Sequence, residues 1–316
     1  MTSAPPRPGS VALIIATYDH AHFLESAVRS AIAQTVAADE IIVVDDGSND
    51  DPEDVTERFP QVRLIRQQNA GLAAARNTGW RATSSEFVVF LDADDRLLPD
   101  ALRLNMGRLA EHPAAGFAYG SYIDVDADTG LRELAEFRPA VEGYAAFLRE
   151  NPIGMHGTVM YRRACLDEVG GFEAGLPACE DYDLYLRLAH RSPPLHGPEP
   201  LAEYWHHRGN MSRNSALMLR CSLMVLGRHE DEARRQCLLA AYRDGVLGWK
   251  RHYVAVWFID LLRAVRAKTF DTSLVRQGIS LACHAPLTVM RAPFYGVRRA
   301  MRKLCSRFGS RTAHLA

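Results

Sequence analysis

The stretch EFVVFLDADDRLLPDAL carries four apolar residues, Val88 to Leu91, straight into the carboxylates of Asp92, Asp94 and Asp95. Acidic side chains this close repel one another, and at the end of a buried strand they also lose hydration, so an offsetting charge is needed. A divalent cation supplies it. Because side chains alternate along an extended segment, the sequence Asp-Ala-Asp turns Asp92 and Asp94 to the same side, where both can address one ion. Polar residues also follow two other apolar runs: Thr17, Tyr18 and Asp19 after VALIIATY, and Asp45 and Asp46 within EIIVVDDGS. A single acidic strand end is accounted for by helix capping. Three coincident ends point to one shared site.

The elements that must position these groups are read from hydrophobic periodicity. VALIIATY, EIIVVDDGS, VRLIRQ and EFVVFLD read as buried strands; HFLESAVRSAIAQ, DPEDVTERF and GLAAARNTGWRAT read as the helices between them. Continuous apolar strands alternating with helices predict an α/β chain with a mostly parallel sheet flanked by helices. Ligands of such sheets bind beyond the carboxyl ends of the strands. A helix is expected after Pro99, then a strand and exposed turn in AGFAYGSYIDVDADTG. GTVMYRRACLDEVGGF reads as strand, helix and glycine stop, and CEDYDLYLRLAHR as a helix with its carboxylates at the N-terminus. LRELAEFRPAVEGYAAFLRENPI carries no readable chemistry. From about Ala216 the chain turns mainly helical.

Composition bounds the function classes. The chain has 316 residues, 47% of them hydrophobic and 24% charged, which is ordinary globular composition. A formal net charge of −1 argues against a nucleic-acid partner. The 6 cysteines include no C-x-x-C pair, so neither zinc nor a disulfide framework is expected, and a reducing, cytoplasmic setting fits. The N-terminus lacks the apolar core of a signal peptide, and no run of about 18 apolar residues occurs. After Asp271 there is no further acidic residue, whereas Arg276, Arg291, Arg298, Arg299, Arg302, Lys303, Arg307 and Arg311 all lie there.

Taken in order, IIATYDHAHFLESAVRSAIAQ, EIIVVDDGSNDD, NAGLAAARNTGW, FLDADD and EDYDLYLRL resemble the family 2 glycosyltransferases, whose catalytic domain is the GT-A fold. The resemblance runs from about Val11 to Ser212. It implies a non-processive, inverting enzyme that moves a sugar from a nucleotide diphosphate to an acceptor hydroxyl with the help of manganese or magnesium. On this resemblance FLDADD is the DXD motif, with Asp94 the direct metal ligand and Asp92 facing the ribose or the metal; Asp95 is a second-layer residue or a cap. Thr17, Tyr18, Asp19 and Asp46 take up the nucleotide. Gly71, Arg76 and Asn77 lie where a helix N-terminus and an arginine suit a diphosphate. Asp181 is the general base and Glu180 orients the acceptor. In EYWHHRGNMS the position of His207 matches a histidine that reaches the metal or diphosphate, with Trp205 where arginine is usual.

Rival chemistries leave different marks. A Rossmann dehydrogenase needs G-x-G-x-x-G after its first strand, and ATYDHAH has none. An aspartyl phosphatase usually has its D-x-D after the first strand, and a nucleotidyltransferase would move nucleotide instead of sugar. A catalytically inactive sugar-nucleotide-binding scaffold is the alternative from outside enzymology. The expected organisation is a disordered lead over 1–10, a GT-A domain over 11–215 and a helical extension over 216–316. The GT-A domain divides into a nucleotide-sugar half (11–119) and an acceptor half (120–215). The donor is expected to be a UDP-sugar, with GDP- and dTDP-sugars as alternatives, and the acceptor a glycan, lipid-linked or protein hydroxyl in cell-envelope polysaccharide or glycoconjugate synthesis. Between Phe294 and Phe308, Val297, Met301, Leu304 and Cys305 recur at helical spacing beside basic residues, which predicts peripheral contact with an anionic membrane through residues 294–311. Docking of that stripe on the catalytic domain or in a homodimer is the competing expectation.

Overall fold

The computed structural model describes residues 7–135, 143–207, 210–267, 269 and 272–292. Strands β1 (Arg7–Thr17), β2 (Glu40–Asp45), β3 (Val62–Arg66) and β4 (Ser85–Asp92) alternate with helices α1 (Ala21–Ile32), α2 (Pro52–Thr56) and α3 (Leu72–Arg81). Residues 12–15 of β1 and 88–91 of β4 are buried, because helices cover both faces of these strands. The register is parallel, with Ile14 of β1 opposite Ile42 of β2 and Phe90 of β4. Helix α1 turns Leu24, Ala27, Val28 and Ala31 inward, a spacing of three and four residues that makes one apolar stripe.

One expectation is corrected at the start of the chain. Residues 7–10, assigned to a disordered lead, extend β1: Arg7 pairs with Ser85, Gly9 N–H donates to Glu86 Oε2 at 2.7 Å, and Glu86 N–H donates to Ser10 Oγ at 3.1 Å. The pairing shifts register between Arg7 and Val11, and Gly9 takes φ 73°, so a bulge carries the strand past the polar Pro-Gly-Ser segment that reads as unstructured.

The second half supplies β5 (Arg96–Leu97), α4 (Ala101–Glu111), β6 (Phe117–Asp126), β7 (Arg132–Ala135), α5 (Tyr144–Arg149), β8 (Met160–Arg162), α6 (Arg163–Val169), α7 (Glu180–Ala189) and β9 (Pro194–His206). One sheet runs in the order β3-β2-β1-β4-β8-β6-β9-β5, with β7 paired to β6. Its first four strands are parallel. Beyond β4 the sheet is mixed: β8 is antiparallel to β4 and β6, β9 is parallel to β6, and β5 is antiparallel to β9. The order reverses at β1, whose neighbours β2 and β4 lead away in opposite directions, so a crevice opens beyond its carboxyl end.

The remaining described elements are helical: α8 (Ser215–Gly227), α9 (Glu230–Arg235), α10 (Leu239–Ala267), α11 (Thr272–His284) and α12 (Pro286–Met290). The described parts of Met1–Phe147 and Asn151–Gly209 form one compact unit; those of Leu148–Glu150 and Asn210–Ala316 form another. The second unit has its own core of Leu219, Tyr253, Val254, Leu281, Ala285 and Ala292. Among the described residues no helix is long and apolar enough to cross a membrane. The basic stripe expected over residues 294–311 lies outside the described residues.

Helix α3 reaches the sheet through Gly79, where a methyl group would collide with Ile14 Cγ2 and stand 3.1 Å from Val44 Cγ2. Gly79→Ala is therefore expected to lose about 1–3 kcal/mol of stability through overpacking, although alanine favours helices. Urea denaturation of the two proteins measures it.

Candidate active site

The strand ends are brought level by the register. Thr17 lies opposite Asp45, and Ala16 opposite Asp92, so the polar residues following β1, β2 and β4 share one rim. The Asp-Asp-Gly-Ser turn is then fixed by its own carboxylates. Asp45 accepts the Ser48 N–H at 2.8 Å and meets Arg66 Nε at 3.2 Å. Gly47 has φ 82°, and a Cβ there would press on Asn69 N at 2.9 Å, so only glycine fits. Asp46 faces the start of α3: Oδ1 accepts from Gln67 Nε2 (2.6 Å) and Ala70 N (2.9 Å), and Oδ2 from Gly71 N (2.8 Å). Three donors occupy most of that carboxylate, which makes Asp46 first a brace for the α3 entrance.

The first loop is held in the same way. Asp19 has φ 51°, its N–H donates to Ser48 Oγ at 3.0 Å, and its Oδ1 accepts the Asn49 N–H at 2.8 Å. Between these anchors Tyr18 projects with 47% of its surface exposed. Thr17 Oγ1 is buried and has no partner among the described residues.

Arg76 sets the centre of the site. It is 2% exposed; its Nη2 donates to Asp92 Oδ1 at 2.6 Å and its Nη1 to Glu180 Oε1 at 2.8 Å. Its guanidinium carbon stands 5.4 Å from the centre of the Phe172 ring. The guanidinium, expected from the resemblance to lie near a diphosphate, is engaged by two carboxylates that come from β4 and α7. Burial alone would lower its pKa, but Asp92 and Glu180 reverse the sign and hold it charged.

Asn77 is likewise engaged within the chain. Its Nδ2 donates to the Phe172 carbonyl at 2.8 Å and its Oδ1 accepts the Phe172 N–H at 2.9 Å, so its amide fixes a turn instead of reaching toward a nucleotide. The same turn is gripped by Arg187 of α7, which donates to the carbonyls of Val169 and Gly171 and pairs with Asp183 at 2.7 Å. Phe172 thus belongs to the site's foundation. The Gly-Gly-Phe triplet just ahead of the acidic helix was the available signal, and it read only as a helix stop.

At the start of α7, Asp181 accepts the Tyr182 N–H at 2.7 Å. Burial first, then the neighbouring Glu180, pushes the Asp181 carboxyl up to about 7, against the opposing pull of Arg76. Below the site His156 is fully enclosed, donates to or accepts from the Tyr185 hydroxyl through Nδ1 at 2.7 Å, and is held neutral by burial.

Strand β9 closes the other side. Pairing of Arg96 with Glu203 and of Leu97 with Ala202 lays β9 along β5, and Asp95 accepts the Trp205 N–H at 3.0 Å. Burial, with Asp94 and Asp92 nearby, drives the Asp95 carboxyl well up. Two residues further on, His207 Nε2 donates to Asp94 Oδ2 at 2.9 Å, and its ring packs 4.8 Å from Phe23 and 5.9 Å from His20. His20 and Phe23, unread in the sequence as site residues, place that imidazole. Among the described residues no three His, Cys, Asp or Glu side chains make a ready cage. A pair of carboxylates and an imidazole at a crevice mouth nevertheless suits an octahedral ion that takes its other ligands from phosphate and water.

Because Arg76 is the ion-pair partner of Glu180 among the described residues, and Glu180 is 7% exposed, Arg76→Met is expected to cost about 3 kcal/mol by leaving a buried carboxylate unpaired. Arg76→Lys, with one ammonium unable to span both partners, should fall between it and the unchanged protein. Chemical denaturation ranks the three.

Comparison with known proteins bears on the family and the fold. The profile described as Glycosyl transferase family 2 matches residues 12–170, from β1 through α6; Glu180, Asp181 and His207 lie beyond the match. Chondroitin synthase of Escherichia coli is 27% identical over 190 residues, 59% of this chain and 27% of the relative. The chain spans less than a third of the length of this and two further curated relatives. Among solved structures, Staphylococcus aureus TarS 1-349 in complex with UDP-GlcNAc superposes with a TM-score of 0.62 at 15% identity, covering 92% of each chain. The mannosyltransferase PcManGT from Pyrobaculum calidifontis, in complex with GDP-Man and Mn2+, gives a TM-score of 0.59 at 21% identity, covering 95% of this chain and 89% of that one. These two likenesses establish the GT-A fold, and with half its length matched by the family profile the chain belongs to glycosyl transferase family 2.

Proposed function

We propose that the chain transfers one sugar from a nucleoside-diphosphate sugar to an acceptor hydroxyl, with inversion at the anomeric carbon. The observation that carries this reading is the Arg76 bridge, which sets Asp92 on the donor side and Glu180, next to Asp181, on the acceptor side of a single rim. In the reaction the acceptor oxygen bonds to the anomeric carbon, its proton passes to an Asp181 carboxylate oxygen, and the carbon–oxygen bond to the β-phosphate breaks with its electron pair leaving on the diphosphate. Attack from the face opposite that leaving group inverts the centre, and a single base suffices. A carboxyl poised near neutrality is suited to the task.

Asp94, with His207 and Asp92 beside it, would hold magnesium or manganese. When bound, the ion neutralises charge on the departing diphosphate. For it to be a ligand, His207 must carry its proton on Nδ1 and offer the Nε2 lone pair, giving up the hydrogen bond to Asp94. Tyr18, exposed between anchored neighbours, offers a ring to the base, and Thr17 an unused hydroxyl. UDP-GlcNAc and GDP-Man, bound by structural neighbours, mark the donor class to be tested. The acceptor class expected from the resemblance is a glycan, lipid-linked or protein hydroxyl.

A panel of UDP-, GDP- and dTDP-sugars titrated calorimetrically in manganese and in chelator tests the donor site. Binding should need the metal, and Asp94→Asn should remove most turnover, a loss of a few kcal/mol of transition-state stabilisation. Equal affinity in both buffers would remove the metal from the proposal. Release of a sugar 1-phosphate instead of a nucleoside diphosphate would replace it with nucleotidyl transfer.

Asp181→Asn keeps the shape without the proton acceptor, so turnover should drop by on the order of a hundredfold while donor binding persists. The pH dependence follows from the raised pKa: turnover of the unchanged protein should climb through about 7 and level off above it, and the variant should lack that limb. Stability runs the other way. A carboxyl raised on folding binds its proton more tightly in the native state, so it weakens the fold as pH rises from the ordinary aspartate value toward 7. Above that window Asp181→Asn should melt higher than the unchanged protein, and an equal or lower melting temperature would contradict the burial-driven shift.

A further inference from the structure

The helical unit contains a cleft that the sugar-transfer reading does not use. Asn214, Ala216, Leu217 and Arg220 at the beginning of α8 and Arg276, Gln277 and Ser280 on α11 line a concavity of about 280 Å³. Its two sides are tied together, since the Ser215 N–H donates to Gln277 Oε1 at 3.1 Å. Asn214 caps α8 by accepting the Leu217 N–H at 3.1 Å, so the positive end of a 13-residue helix opens at the cleft. Arg220 and Arg276, both exposed, have no carboxylate partner among the described residues. Between two lining residues, Ser215 is 1% exposed and its Oγ has no partner among the described residues. A pocket with two unpaired guanidinium groups, a helix N-terminus, an amide and a hydroxyl selects an oxyanion, and a phosphate fits that set of donors.

The surroundings indicate which phosphate. On α11 the buried Leu281 marks the inward side; by helical spacing Arg276 and Ile279 fall on the outward side, where Ile279 is 63% exposed. The next helix exposes Leu287 by 71% and Met290 by 79%. Large apolar side chains held out of the core on the cleft's own helix and on the next one are an arrangement suited to a bilayer surface, where the cations meet headgroup phosphates and the apolar groups enter the acyl boundary. We propose that the α8–α11 cleft binds the phosphate of an anionic lipid headgroup, and that Ile279, Leu287 and Met290 lie in the adjoining lipid. The cleft shares no residue with the strand-end rim, and the proposal does not depend on the sugar-transfer reading.

The full chain is sedimented with vesicles of phosphatidylcholine alone and with equimolar phosphatidylglycerol and phosphatidylcholine, and its melting temperature is measured with and without inorganic phosphate. The unchanged protein should pellet with the mixed vesicles only. The pair Arg220→Glu and Arg276→Glu should weaken that binding by ~tenfold or more, since each cation near anionic lipid counts separately. The pair Arg220→Lys and Arg276→Lys should retain most of it, and Ile279→Ser with Leu287→Ser should weaken it without changing the response to inorganic phosphate. Because these side chains are exposed, unaltered circular dichroism separates lost binding from lost fold. If the charge-reversed pair pellets like the unchanged protein, another part of the chain meets the membrane and the proposal fails. It fails equally if inorganic phosphate stabilises the unchanged protein and not the charge-reversed pair while neither pellets, since the cleft then serves a soluble phosphate.

Discussion

A buried guanidinium between two carboxylates organises the first unit. Arg76 arrives from α3, Asp92 from the end of β4 and Glu180 from the first turn of α7, and the three meet over the Phe172 ring. A charge in this position is tolerable only while both partners are in place, because desolvating it costs several kcal/mol that only close, well-aligned ion pairs offset. The surrounding structure meets that condition repeatedly. Asn77 and Arg187 lock the turn that carries Phe172, Asp46 holds the entrance of α3, and Gly79 lets α3 lie close enough on the sheet for Arg76 to reach inward.

From that constraint the electrostatics of the site follow. Asp181, beside Glu180, is raised first by burial and then by the charge of Glu180, and Arg76, engaged by Asp92 and Glu180, opposes this only in part. Two adjacent carboxyl groups are thereby driven apart in character, one paired with a cation and one left to take up a proton. The Asp-Ala-Asp segment divides similarly: Asp92 is turned to Arg76, Asp94 to His207, and Asp95 inward to the backbone of β9. Three acidic residues in a row of four therefore face three different partners, although burial and the charges of Asp94 and Asp92 still push the Asp95 carboxyl up.

Much of this was legible in the sequence because buried parallel strands are written as continuous apolar runs, and β1, β2 and β4 could be read directly along with the polar residues at their ends. The family resemblance added Asp181 and His207, and the structure places His207 against Asp94. What could not be read depends on partners distant in the chain. AGLAAARN reveals a helix but not that Arg76 is matched to residues 16 and 104 positions away. Asn77 looks like its neighbour in every local respect, yet serves a turn at Phe172. β7 is four residues long, and β9 is interrupted by two prolines and a glycine, so neither carries a clear alternation. Their strand state comes from pairing with β6.

The position of β9 has a consequence for synthesis of the chain. β5 leaves β4 immediately after the acidic segment, but its partner is made some hundred residues later, since His207 lies 113 positions beyond Asp94. At ~5–20 residues per second the ribosome needs roughly 5–20 s to cover that distance. During this interval the strands β1 to β4 have all been made, but Glu180, Trp205 and His207 have not, and the β9 partner of β5 is still missing. The order of translation thus keeps the strand-end rim incomplete until the last strand of the sheet has emerged.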